Sequence, residues 1–203
     1  STPSTTTGPM YCGGSVMVTW TVADHCYATT TYSATFTINA PPSVVITKAV
    51  DNTTSACIYA DQVAADAAFA TWLATASVSG GCTPSSTPST TTGPMYCGGS
   101  VMVSWTVADH CYTTTTYSAT FTIDAPAAVV ITKATDNTSS ACSYANQSAA
   151  DAAFASWLAT ASVSGGCTPS STPSTTTGPA YCGGSVMVTW TVADHCYTTT
   201  TYS

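Results

Sequence analysis

The chain has 203 residues, a net charge of −7 and only 5% charged side chains, with neither Arg nor Glu among them. Lys48 and Lys133 are the whole basic complement, so there is no basic phosphate-binding patch, which argues against nucleic acid and anionic lipid as partners. No apolar run approaches the ~20 residues needed to span a bilayer.

One motif organises the rest. Tyr-Cys-Gly-Gly-Ser-Val places its cysteine at Cys12, Cys97 and Cys182, a period of 85 residues. Residues 1–85 and 86–170 match at 74 of 85 positions, with mild changes such as Thr19 to Ser104, Asn39 to Asp124 and Asp61 to Asn146. Pro41-Pro42 and Pro126 mark seams. They frame three segments: 1–40 as the second half of a repeat, 41–125 as a complete repeat, and 126–203 as a repeat lacking its last strand. Ser1 aligns with Ser86 in mid-repeat, so the chain reads as a window of a longer exported polypeptide.

Along one period a single helical stretch follows the unit's first strand. Asp61, or Asn146 one period on, can cap its N-terminus. Within 64–74, Ala65, Phe69, Trp72 and Leu73 recur at the spacing of one buried helix face. A short strand over 75–79 leads to Gly80-Gly81-Cys82. The Thr/Ser/Pro stretch from Thr83 to Pro94 has no periodicity, yet cysteines stand at both its ends, which favours an ordered extended segment over a loose linker.

The clearest strand is 100–107, with Val101, Val103, Trp105 and Val107 on one face and Met102, Ser104 and Thr106 on the other. After a turn at Asp109-His110-Cys111-Tyr112, the run 118–123 puts Ala119, Phe121 and Ile123 on one face. The two form an antiparallel pair with an aromatic, β-branched inner side. Val129-Val130-Ile131-Thr132 begins the next unit. One helical stripe among alternating strands predicts a mostly β fold: tandem two-sheet sandwiches of 85 residues, each with one short inserted helix and two disulfides.

Four cysteines fall in each full period, an even count that reads as a disulfide framework in an oxidising compartment. No Cys-x-x-Cys pair suggests zinc. Cys97 and Cys111 bracket a strand and stand well over 20 Å apart at ~3.3 Å per residue, too far for a bond that needs Cα atoms within about 7 Å. Two connectivities remain. The up-and-down course of the chain favours Cys57 with Cys97 and Cys82 with Cys111, hence Cys142 with Cys182 and Cys167 with Cys196. Cys12 and Cys26 would then find partners in sequence ahead of Ser1.

The stretch Ala64-Ala65-Asp66-Ala67-Ala68-Phe69-Ala70-Thr71-Trp72-Leu73, with Gly80-Gly81-Cys82, Cys97-Gly98-Gly99-Ser100 and Ser118-Ala119-Thr120-Phe121-Thr122, resembles the HYR-like, immunoglobulin-like repeats of giant surface proteins in Bacteroidetes. Those proteins are similar to the long adhesins associated with gliding motility and type IX secretion. The likeness covers the whole period and implies an immunoglobulin-like sandwich, a cell-surface location and service as a stalk or adhesin. It transfers no catalytic residue. The Asp109-His110-Cys111 loop departs from the more Gly-rich turn of such repeats.

Three places in the chain carry residue types that could do chemistry. Asp24-His25-Cys26 recurs at 109–111 and 194–196, but neighbours at a strand end point apart and do not converge as a nucleophile, base and orienting acid must. Asp51-Asn52, Asp124 and Asp136-Asn137 lie near the seams, too few for the six to eight oxygens of calcium. Trp20, Trp105 and Trp190 alternate with valine as core residues do. The sequence therefore predicts no enzyme and no cofactor. It predicts a structural segment of an extracellular fibre or stalk that associates with itself, head to tail and side by side, because so few charges oppose bundling. Glycan or surface binding through Thr-rich faces is the alternative.

Overall fold

A computed structural model describes all residues, 1–203, and is mostly β with two helices. In chain order the strands and helices are β1 (Thr2–Pro3), β2 (Gly14–Val22), β3 (Thr30–Ile38), β4 (Val45–Thr47), β5 (Asn52–Ser55), α1 (Gln62–Leu73), β6 (Ser77–Ser79), β7 (Ser85–Pro88), β8 (Gly99–Ala108), β9 (Thr115–Asp124), β10 (Val130–Thr132), α2 (Gln147–Leu158), β11 (Ser162–Ser164), β12 (Ser170–Pro173), β13 (Trp190–Ala193) and β14 (Thr200–Tyr202). A 3-10 turn precedes each helix, at Ala56–Ile58 and Ala141–Ser143. They build sheets in the orders β1-β2-β3, β4-β6, β5-β9-β8-β7, β10-β11 and β12-β13-β14. No helix is long and apolar enough to cross a membrane.

The expected elements are present with shifted ends: α1 starts two residues before the expected 64 and ends at Leu73, and the strands read over 75–79 and 129–132 are the shorter β6 and β10. The strand read over 100–107 is β8, and that over 118–123 is the longer β9. Part of the Thr/Pro stretch is extended as expected: β7, Ser85–Pro88, pairs antiparallel with β8, Pro88 opposite Trp105. Both helix caps form, Asp61 Oδ1 accepting the Ala64 N–H at 2.9 Å and Asn146 Oδ1 the Ala149 N–H at 3.0 Å. One element had no sequence signal. β5, Asn-Thr-Thr-Ser, adds parallel to the Phe121–Asp124 end of β9.

By contacts the chain divides into two compact units. The first comprises 1–51, 69–92 and 102–120. Here β2 and β3 pair antiparallel over nine positions, Gly14 opposite Ile38 and Trp20 opposite Tyr32. Trp105 is buried, stacks on Tyr117 at 5.2 Å between centroids and meets the edge of Trp72 at 5.4 Å. The Trp72 Nε1–H donates to the Val50 carbonyl at 2.8 Å, so the indole is buried without orphaning its donor. Lys48 sets its ammonium 5.8 Å from the centre of the Tyr117 ring, a cation–π contact that partners one of only two basic side chains.

The second unit comprises 52–68, 93–101 and 121–203. Its core is the same arrangement 85 residues on. Val188, Trp190, Val192 and Tyr202 are buried against Val129, Ile131, Phe154, Trp157 and Leu158. Trp190 stacks on Tyr202 and meets the edge of Trp157, and Lys133 stands over the Tyr202 ring. A cavity of about 690 Å³ opens beside this core, its lining including Phe154, Trp157, Val186 and Ser203.

Candidate functional site: the cysteine seams

None of the four expected disulfides forms. Cys57 is not joined to Cys97, Cys82 to Cys111, Cys142 to Cys182 or Cys167 to Cys196. The bonds are Cys12–Cys111, Cys57–Cys167 and Cys97–Cys196, with Cα atoms 5.2, 5.1 and 5.3 Å apart. Cys12 therefore finds its partner inside this chain, against expectation, while Cys26, Cys82, Cys142 and Cys182 are free.

The correction has a simple physical form. Strand length forbids Cys97 from meeting Cys111 within one copy, and the structure agrees. It instead joins those same two positions one copy apart, Cys97 to Cys196 and Cys12 to Cys111, each at a separation of 99. The other two positions pair likewise, Cys57 with Cys167 at a separation of 110. Every bond thus links a copy to the next, and none closes within a copy.

The tripeptide Asp-His-Cys builds one side of each seam. Asp24, Asp109 and Asp194 each accept, through Oδ1, the backbone N–H of the cysteine two residues on, at 2.8, 2.8 and 2.9 Å. This tight Asx turn presents the cysteine outward. Asp109 does more, its Oδ2 accepting the Cys82 N–H at 2.7 Å, so one carboxylate positions two cysteines. The histidine lies against a tyrosine from the preceding copy: His110 on Tyr11 at 5.1 Å and His195 on Tyr96 at 5.5 Å, both edge-on. His195 Nε2 also lies 3.0 Å from the Tyr59 carbonyl oxygen. The tyrosine after each cysteine reaches the proline at the seam, Tyr112 Oη donating to the Pro41 carbonyl at 3.1 Å and Tyr197 Oη to that of Pro126 at 2.9 Å.

The other side is set by Gln62, which sequence reading missed. Its side chain donates to Asp66 Oδ1 at 2.8 Å and the Pro94 carbonyl at 3.0 Å and accepts the Tyr96 N–H at 3.0 Å, fixing the turn that carries Cys97. Gln147 repeats all three bonds with Asp151, Pro179 and Tyr181. The only available signal was a glutamine unchanged beside a cap that varies. Gly81 completes the seam. Its φ is +59°, and an added Cβ would collide with the Asp109 carboxylate. Gly81→Ala is expected to destabilise the chain by about 1–3 kcal/mol and to raise the alkylation rate of Cys82, as read by denaturant titration and timed thiol labelling. An unchanged rate would remove Asp109 from the role given it.

No three His, Cys, Asp or Glu side chains converge on a metal position. Of the acidic residues near the seams, Asp51 Oδ1 accepts the Thr120 N–H at 2.7 Å. Against this geometry, no family model, curated protein or solved structure matches the chain.

Proposed function

We propose that the chain is a stretch of an extracellular fibre or cell-surface stalk, built of tandem immunoglobulin-like β-sandwich repeats and carrying no catalytic site. One observation carries the reading: all three disulfides tie a copy to its successor. Cross-links between neighbours turn an array of small domains into one covalent body, which serves load and length rather than a local reaction. Disulfides also support an extracellular reading, because such bonds persist in oxidising compartments and are rare in the reducing cytosol. The low charge leaves little repulsion against side-by-side bundling.

Arrays of two, four and eight repeats are expected to show a radius of gyration that grows in proportion to copy number in small-angle scattering. Growth with roughly the 0.38 power of length, as for compact globules, would sink the fibre reading. A second reading rests on a different observation. The face of β2–β3 opposite Trp20 sets Ser15, Thr19 and Thr21 across from Thr37, Ser33 and Thr31, and Thr19 and Ser33 hydroxyls bond at 2.8 Å. This hydroxyl-rich face, interrupted by the exposed Met17 opposite Thr35, suits a glycan or a crystalline surface, and affinity for either would rise with copy number.

A further inference from the structure

We infer that the open face of β2–β3, together with Cys82 and His110, is a docking site for one further stretch of the sequence found at 41–88. The inference rests on the repeat-array reading and names the contact that extends the array.

Three independent features point to the same occupant. The first is an uncovered core face. Phe121 and Tyr117 of β9 are 1% and 9% exposed, whereas Phe36 and Tyr32, one period earlier on β3, are 62% and 56% exposed. Trp20 already stacks on Tyr32 at 5.1 Å, as Trp105 does on Tyr117, so the face is built in its final form. What it lacks is the helix tryptophan that meets Trp105 and Trp190 in the other two copies, Trp72 and Trp157. The second feature is a free thiol. Cys82 is unpaired, whereas Cys167, its equivalent, is bonded to Cys57, the residue five positions ahead of α1. The third is a histidine. His195 Nε2 meets the Tyr59 carbonyl, two residues beyond Cys57; His110 has the same Asx turn and the same tyrosine at its edge, and the matching carbonyl would arrive on that same stretch.

The formed bond Cys12–Cys111 corresponds to Cys97–Cys196, which shares its seam with Cys57–Cys167. Face, thiol and histidine are therefore half of one seam, and a single segment satisfies all three. Its helix covers Trp20 and Phe36, and its Cys57-equivalent closes on Cys82. The closing step joins two thiols as a disulfide with loss of two protons and two electrons, taken up by a small-molecule disulfide that leaves as two thiols.

The sequence defines the test. Residues 41–85 duplicated directly ahead of Ser1 reproduce the junction between Ser85 and Ser86. In this extended chain, refolded in a glutathione redox buffer, non-reducing peptide mapping is expected to join the added Cys57-equivalent to Cys82. Amide exchange in β2–β3 is expected to slow at least tenfold. The Cys82→Ser version of the extended chain should keep most of that protection while losing the bond, which separates docking from cross-linking. In a parallel arm the full 203-residue chain is mixed with a synthetic 41–88 polypeptide whose own second cysteine is serine. Capture there as well as in the fused chain shows that a neighbouring molecule can supply the segment; capture in the fused chain alone assigns it to the same polypeptide. Cys82 carrying only glutathione in both arms, or a bond to Cys26 with no new protection in β2–β3, overturns the site. Arrays that close this bond yet scatter as compact globules would instead reject the fibre reading and leave the docking site standing.

Discussion

Replacing Cys97 and Cys196 together by serine is expected to lower the unfolding midpoint of the oxidised chain by roughly 10 °C. The bond closes a loop of 99 residues, and restricting the unfolded chain by a loop of that size is worth up to about 4.7 kcal/mol. In a chain of this length each kcal/mol moves the midpoint by about 2–4 °C. The two sulfurs are replaced by similar small groups beside an Asx turn that remains, so native packing around Asp194 changes little. Calorimetry in the absence of reductant gives the number. The control is the pair Cys26→Ser and Cys182→Ser, which removes two free thiols and should leave the midpoint within about 1 °C, as surface changes usually do. If both pairs of substitutions have equal effects, the bonds are not between copies.

Trp105→Ala should be the most damaging single change, at about 3–5 kcal/mol. Trp105 is 2% exposed and touches rings on both sides, Tyr117 stacked and Trp72 edge-on, so its removal leaves a cavity the helix cannot refill. Trp20→Ala provides the comparison within the same molecule. The residue, the strand and the stacked tyrosine are the same, but the ring above is absent, and the loss is expected to be on the order of 1 kcal/mol. Urea titration of the two variants measures the difference. Equal losses would mean that the β2–β3 face is already covered in solution.

Much of this was legible in the residues. Alternation gave β8 and β9, the helical stripe gave α1 with Ala65, Phe69 and Trp72 inward, and the change from Asp61 to Asn146 preserved a cap whose geometry is the same in both copies. Two things were not legible, for different reasons. β5 is polar because it is an edge strand, held by backbone bonds to β9 rather than by buried side chains, so nothing in Asn-Thr-Thr-Ser marks it. The disulfide partners were obscured by the repeat itself. Spacing arguments assume one candidate at each position, but a period of 85 offers every cysteine a second partner of identical local sequence one copy away. The strand-length argument did exclude Cys97–Cys111 correctly; it carried no information on which copy supplied the partner.

The order of the disulfides along the chain also determines how it responds to pulling. Cys12 and Cys196 are 184 positions apart, yet a covalent route joins them through Cys111, the 14 positions back to Cys97, and on to Cys196. At ~3.5 Å per extended residue, and counting the two disulfide spans of 5.2 and 5.3 Å, that route pulled taut is only about 60 Å long, against about 640 Å for the same span without sulfur bridges. Mechanical unfolding of every strand between them would therefore release almost no slack, and the tether would fail by breaking covalent bonds rather than by lengthening.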